Sequence, residues 1–369
     1  MRLSLVIATA WAAALVVAQG AAAATATAAP GAATPAAPVG DALLRPALAT
    51  AAPERAVLLS AARAGQRLVA VGERGLVALS DDEGRTWRQA PCPVSVSLTM
   101  VRFADARNGV AVGHAGTVLT TADAGASWTL RLDGRRVAAA AQQAATTPAA
   151  QQEAARLVAD GPDKPFLDVL LWDAKRMLAV GAYGLAMHSA DGGVTWQPWM
   201  DRLPNPKGLH WYVAQRAGDT LLLAGEQGLL ATSTDGGRNF RALASPYAGS
   251  WFTGDVSASG EWLLAGLRGN VWRSMDGGAQ WQALASPVPA SITAAVRGSN
   301  GQLLLASQAG LVLQVQGQAL VPMRTAPLAL PSALLPLRDG RLLALGATGV
   351  TLVSPAEDKA KAQEKGERP

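Results

Sequence analysis

The chain has one cysteine, Cys92, in 369 residues, so it holds no internal disulfide and must be stabilised by its core. Phenylalanine and tyrosine are scarce, with four and three copies, and only 16% of residues are charged. Glycine is plentiful instead, at 38 residues, and half of the chain is apolar. This bias excludes disorder of the whole and points to many short strands joined by tight turns. Net charge is only +5, with no basic stripe, which argues against nucleic acid as a partner.

No stretch after the first 30 residues has the length and apolarity of a membrane span. The N-terminus has one Arg, an apolar run from Leu3 to Val17 and then small residues, the pattern of a cleaved export signal, assigned to residues 1–24. The expected localisation is therefore periplasmic or otherwise exported, with no stable membrane anchor after cleavage. Residues 25–40 are an Ala/Pro/Thr-rich linker, and 355–369 form a mixed-charge tail without apolar periodicity. For Cys92, in "APCPVS", the expectation is a tolerated loop or half-buried thiol.

Between these ends the chain repeats. Aligning "VGERGLVALSDDEGRTW", "VGHAGTVLTTADAGASW", "VGAYGLAMHSADGGVTW", "AGEQGLLATSTDGGRNF" and "AGLRGNVWRSMDGGAQW" gives five full copies of one pattern. "ASQAGLVLQVQGQ" and "LGATGVTLVSPAE" keep its first half. One glycine marks every copy: Gly75, Gly116, Gly184, Gly228, Gly269, Gly310 and Gly349. The spacings are 41, 68, 44, 41, 41 and 39 residues, and the long interval carries an Ala/Gln-rich stretch, residues 131–165, that reads as a helical insertion between copies two and three. Each copy offers four strand-length segments, the content of one β-propeller blade. The predicted fold is all-β: a single seven-bladed β-propeller over residues 41–354. The seventh copy lacks a fourth strand, and "ALLRPALAT", residues 42–50, is expected to supply it and close the ring.

The acidic turn of each full copy fits S-x-D-x-G-x-T-W. Its acid and aromatic positions are Asp82 and Trp87, Asp123 and Trp128, Asp191 and Trp196, Asp235 and Phe240, and Asp276 and Trp281. A carboxylate that caps nearby N–H groups, a glycine that permits positive φ and a ring that packs between strands together make a hairpin fastener. The turns lack the further oxygen ligands of a calcium loop, so no metal is expected there. Five equivalent acids are also not an active site, which needs unlike groups at one point.

These turns resemble the Asp-box, or BNR, repeats shared by sialidases, xyloglucan-degrading hydrolases, sortilin-type receptors and photosystem II stability/assembly factor-like proteins. The sialidase resemblance implies six blades, an early Arg motif and a Tyr–Glu pair. This chain has seven copies, no such Arg motif, and only Tyr183, Tyr212 and Tyr247 as candidates. The xyloglucan-degrading type implies two propellers, and the sortilin type ten blades with cysteine-rich modules. The chain is most similar to the assembly-factor-like family, with a signal peptide, one seven-bladed propeller and Asp boxes in most blades. That resemblance implies no catalytic residues, no cofactor, and docking to an integral-membrane or envelope protein complex, whose assembly, stability or activity it would assist.

In a four-stranded blade, the loops between strands two and three share one face with the connections between blades, and the Asp boxes occupy the other. The first face is the expected protein-docking surface, with Arg74, Arg135, Arg136, Tyr183, Trp199, Arg202, His210, Arg268 and Arg324 as its candidate residues. Trp211 and Phe252 are expected to pack in the core. The competing reading is a glycan-binding or sialidase-like propeller, with Trp199, Trp211 and Tyr247 as sugar platforms.

Overall fold

The computed structural model describes residues 40–298 and 300–354; the segment expected to be an export signal, all of the expected linker but Gly40, and the charged tail lie outside the described residues. The middle strands of the repeats, such as Arg67–Gly72 (RLVAVG) and Leu342–Gly346 (LLALG), are apolar at consecutive positions instead of alternating. A strand with that pattern buries both of its faces. The structure supplies the two faces by stacking seven antiparallel sheets around a ring, at residues 58–89, 98–132, 166–198, 211–242, 251–283, 292–322 and 331–353. Six sheets have four strands in sequence order and the seventh has three.

Seven apolar clusters hold the sheets together, one at each junction between neighbours. Val69, Val71, Val77 and Leu79 of blade one face Leu98, Val101, Ala111 and Leu119 of blade two. The alternate residues of blade one, Leu68, Ala70 and Ala78, face Leu343 and Leu345 of blade seven. The period-2 geometry of a strand thus sends neighbouring residues to opposite junctions. Truncating one such leucine to alanine removes about 2–5 kcal/mol, so each junction is a substantial share of the total stability.

The inner strand of every blade carries a one-residue bulge, at Leu59, Thr99, Leu167, Tyr212, Phe252, Thr293 and Ser332. Where the extra residue is Thr or Ser, its hydroxyl donates to the first inner-strand carbonyl of the next blade. Thr99 reaches Phe166, Thr293 reaches Pro331, and Ser332 reaches Leu58, each at 2.7 Å. At alternate junctions the residue after the bulge accepts an N–H from the next blade instead. Ser60 takes that of Val101, Asp168 that of Ala214 and Thr253 that of Ala295. Six of the seven junctions are therefore bridged around the central channel. The junction of blades four and five instead sets Tyr212 edge-on to Phe252 at 5.6 Å.

Closure differs from the sequence expectation. Residues 42–50 do not complete blade seven; they form no strand and lie along the connection between blades one and two. Ala47 N–H bonds to the Cys92 carbonyl, Ser95 N–H to that of Ala42, and Leu43 joins the cluster of Val94 and Val96. The ring closes through Ser332 to Leu58, through Arg338 to the Gly65 carbonyl at 2.8 Å, and through the leucines of that junction. Cys92 is fully inside this region, more deeply than expected, and burial pushes its thiol up to about 11.

The insertion lies between blades two and three as expected, and forms two helices, α1 (Gly134–Ala144) and α2 (Pro148–Asp160). Asp133 caps the first by accepting the N–H groups of Arg135 and Arg136, and Thr147 caps the second. Their apolar faces, with Val137, Ala138, Ala141, Ala154 and Leu157, join the core between blades two and three. No helix among the described residues is long and apolar enough to cross a membrane.

Candidate functional site

The Asp boxes do what their residue types suggest. In the first, Asp82 Oδ1 accepts the N–H groups of Arg85 and Thr86, while Oδ2 accepts the Thr86 hydroxyl at 2.6 Å. Ser80 links the same carboxylate to the N–H of Gly84, whose carbonyl takes the Trp87 indole N–H. The third box repeats this through Asp191, Thr195, Ser189, Gly193 and Trp196. Hydrogen bonds, led by that of the Thr86 hydroxyl, hold Asp82 at about 2. Burial opposes the same effect at Asp191, but the Thr195 hydroxyl and N–H bring it to about 2 as well. Asp123, Asp235 and Asp276 are shifted in the same direction. Phe240 and Trp281 depart from the pattern, because Phe has no donor and the Trp281 indole N–H finds no acceptor.

The opposite face is built on the seven aligned glycines. Each has positive φ and lies against the connection that leads into the next blade. A Cβ on Gly228 would meet the Tyr247 carbonyl at 2.5 Å, and one on Gly75 the Val94 carbonyl at 2.0 Å. This contact joins the two-to-three loops and the inter-blade connections into one surface. The residue before the glycine is also left-handed, and in blades one to five it is Arg74, Ala115, Tyr183, Gln227 and Arg268, with φ between 51° and 58°. Non-glycine residues adopt this conformation at a cost, and here it lifts their side chains off the surface.

Tyr183, half exposed, is the centre of a small cluster on this face. The His210 ring lies 4.7 Å away, and Lys164, from the connection after α2, places its Nζ 5.6 Å from the Tyr183 centroid. Glu226 accepts both the His210 N–H at 3.2 Å and its Nδ1 at 2.8 Å, and these bonds lower the Glu226 carboxyl. His210 also stacks on Tyr212 at 5.9 Å, so the rings step from the face down to Phe252 in the channel wall. The channel encloses about 610 Å³ and is lined by inner-strand residues of all seven blades.

The remaining predicted docking residues are placed unequally. Arg74, Arg268 and Arg324 are exposed, and among the described residues their side chains donate to no protein acceptor. Arg135 is paired with Asp41, and Arg136 bonds the Arg131 carbonyl and pairs with Asp133 at 3.5 Å. Trp199 is corrected: it is 7% exposed, stacked on His188 at 4.0 Å and covered by the Arg202 guanidinium at 4.9 Å. Its backbone N–H closes blade three onto the Ala186 carbonyl, which turns the ring inward. Burial beside this stack, with Arg202 and Arg176 near, lowers His188 to about 4. Trp211 is fully buried, so two of the three rings on which the glycan reading rests offer no face to a sugar. Phe252 lines the channel, only partly buried.

Sequence reasoning missed Lys164 and the His210–Glu226 pair. The blade alignment carries the signal for the pair: His210 precedes an inner strand, and Glu226 opens the loop whose N–H always returns to that position, as Glu73 does to Val57 and His114 to Ser97.

The family model described as photosynthesis system II assembly factor YCF48 matches residues 147–317, from the start of α2 into blade six. Among solved structures, YCF48 from Cyanidioschyzon merolae is 14% identical over 83% of this chain and 98% of its own, with a TM-score of 0.61. A streptogramin B lyase is 13% identical over 86% of this chain and all of its own, with a TM-score of 0.63. A structure of YCF48 bound to a D1 peptide is 21% identical, covers 53% of this chain with a TM-score of 0.44, and is itself covered over 64% of its length. No curated protein matches the chain in sequence. The resemblance to the assembly-factor-like family and the seven-bladed fold are both borne out.

Proposed function

We propose that this propeller, similar to the photosystem II assembly factors over residues 147–317, is an exported, non-catalytic scaffold that docks a membrane or envelope protein complex and assists its assembly, stability or activity. The observation that carries the reading is Tyr183, an aromatic ring held half exposed on a left-handed backbone, inside the segment that the family model covers. Aromatic and arginine side chains are the usual anchors of protein interfaces, and Arg74 and Arg268 occupy the equivalent loop position in blades one and five. The reading of residues 1–24 as an export signal supports a partner on the outer side of the cytoplasmic membrane.

The test is site-specific photocrosslinking in intact cells, with the photoreactive group at Tyr183 and a control at Val194, in the Asp-box turn of blade three on the opposite face. Capture of a defined membrane protein from position 183, lost when Arg74 and Arg268 are changed to Glu, is the expected result. Equal capture from position 194, or capture indifferent to the charge reversal, overturns the choice of face. Recovery of the chain in the cytoplasmic fraction overturns the export.

A further inference from the structure

Among the described residues blade seven has three strands, the last Gly349–Val353, and nothing pairs with the outer edge of that strand. The other six blades show what belongs there. In five of them a residue after or near the end of the outer strand donates its N–H to a third-strand carbonyl: Ala90 to Val77, Trp199 to Ala186, Leu243 to Leu230, Leu284 to Val271, and Met323 to Val312. Register places Val350 of blade seven in the acceptor position and Leu352 in that of Leu79, which pairs with Arg88. The backbone groups of Val350 and Leu352 therefore point outward.

Exposed edges in folded proteins are usually short or carry charge or proline, which block pairing with other strands. The outer strands of blades one to four and six follow that rule with Arg88, Arg131, Pro198, Arg241 and Pro322. The edge of blade seven does not: Gly-Val-Thr-Leu-Val is five residues long and has neither charge nor proline. It is also a good strand former.

Among the described residues no free strand is left over for this edge. Residues 42–50 are fastened to the connection between blades one and two, and the 3-10 helix at Pro53–Arg55 packs against Gly349 at the start of the edge. The tail from Pro355 to Pro369 has no β-branched or aromatic residue. Two edges of five residues pairing between copies would bury far less than the roughly 1,200 Å² that a stable dimer needs, whereas an edge this short suits a single extended peptide.

We infer that the open edge of blade seven takes one extended segment of a partner protein as its fourth strand, antiparallel to Gly349–Val353. That segment is rich in aliphatic or β-branched residues and is led by an aromatic ring, since Trp87, Trp128, Trp196, Phe240 and Trp281 lead the outer strands of blades one to five. The site is distinct from the face that carries Tyr183, so either can fail without the other.

The probe is a fluorescent peptide with the sequence of residues 127–132, Ser-Trp-Thr-Leu-Arg-Leu, titrated into the full chain and followed by anisotropy. Saturable binding is expected. Leu352→Pro, which removes the outward N–H, should weaken it about tenfold through the lost hydrogen bond. A second variant, in which Asn-Gly and a copy of residues 128–132 replace the tail, fills the edge in cis and should abolish binding. No saturation below about 1 mM, or binding unchanged by the filled edge, overturns the inference. Binding that emerges only after deletion of residues 355–369 also overturns it, because the tail is then the occupant.

Discussion

Replacing Arg102 by Leu should be among the most damaging single changes in the ring, and the damage should be largely undone by a second change. Asp168, 2% exposed on the inner strand of blade three, receives both Arg102 nitrogens, Nε at 3.0 Å and Nη2 at 2.9 Å. It also accepts the N–H of Ala214 in blade four at 2.8 Å, while Arg102 Nη2 donates to the Ala214 carbonyl at 3.2 Å. One ion pair thus ties three consecutive blades. Removing one partner of a buried pair costs about 3–5 kcal/mol, chiefly because the other charge remains uncompensated. Arg102 is 29% exposed, so water can partly replace it and the lower end, about 3 kcal/mol, is expected. Adding Asp168→Asn removes the stranded charge and keeps an oxygen for Ala214, so the double variant should lose only about 1–2 kcal/mol. Equilibrium urea unfolding with an unchanged m-value reads both numbers. The pH dependence has a fixed sign. In Arg102→Leu the buried carboxyl titrates higher in the folded than in the unfolded chain, so the deficit is full at neutral pH and shrinks toward about pH 4. A double variant no more stable than the single one, or a single loss below about 1 kcal/mol, refutes the reasoning.

Three further outcomes follow from the repeat geometry. Gly228→Ala should cost about 3 kcal/mol or more, since its φ of 75° is joined by a Cβ 2.5 Å from a backbone carbonyl; Gly192→Ala should cost only about 1 kcal/mol, because its nearest contact is 3.7 Å away and Ala124 already fills that position in blade two. Equal losses in urea unfolding would contradict the contact. Asp191→Ala should lose about 1 kcal/mol, the scale of a side chain capping backbone N–H groups. Asp191 is held at about 2, below its ordinary value, so its contribution is present above about pH 4 and disappears as pH falls to about 2; acid titration of both proteins should show their stabilities converging over that window. Cys92, buried and with its thiol raised to about 11, should resist a thiol reagent at pH 8 in the folded chain and react at once in denaturant.

What was legible in the sequence was what recurs. The glycine at Gly75 and its six equivalents marks a contact made at every junction, and the Asp box a hairpin capped by its carboxylate five times, so local chemistry and long-range geometry point to one answer. "ALLRPALAT" was misassigned because an apolar segment of strand length has the same composition whether it pairs in blade seven or straps blade one. The deciding bonds, Ala47 to Cys92 and Ser95 to Ala42, join segments 45 and 53 residues apart. Trp199 was misread for the opposite reason, as a loop aromatic free to bind. Its repeat equivalents, Ala90, Leu243, Leu284 and Met323, are all apolar residues that close an outer strand, so the alignment that found the blades also held the correction. Of the candidate docking residues that stand clear of the fold, Arg74, Tyr183 and Arg268 share one left-handed position that packing leaves unspecified. A repeat fixes its own scaffold and leaves such positions free to vary. Function in this ring is therefore to be sought where blades differ: at that loop position, at the insertion, and at the one blade that has three strands among the described residues.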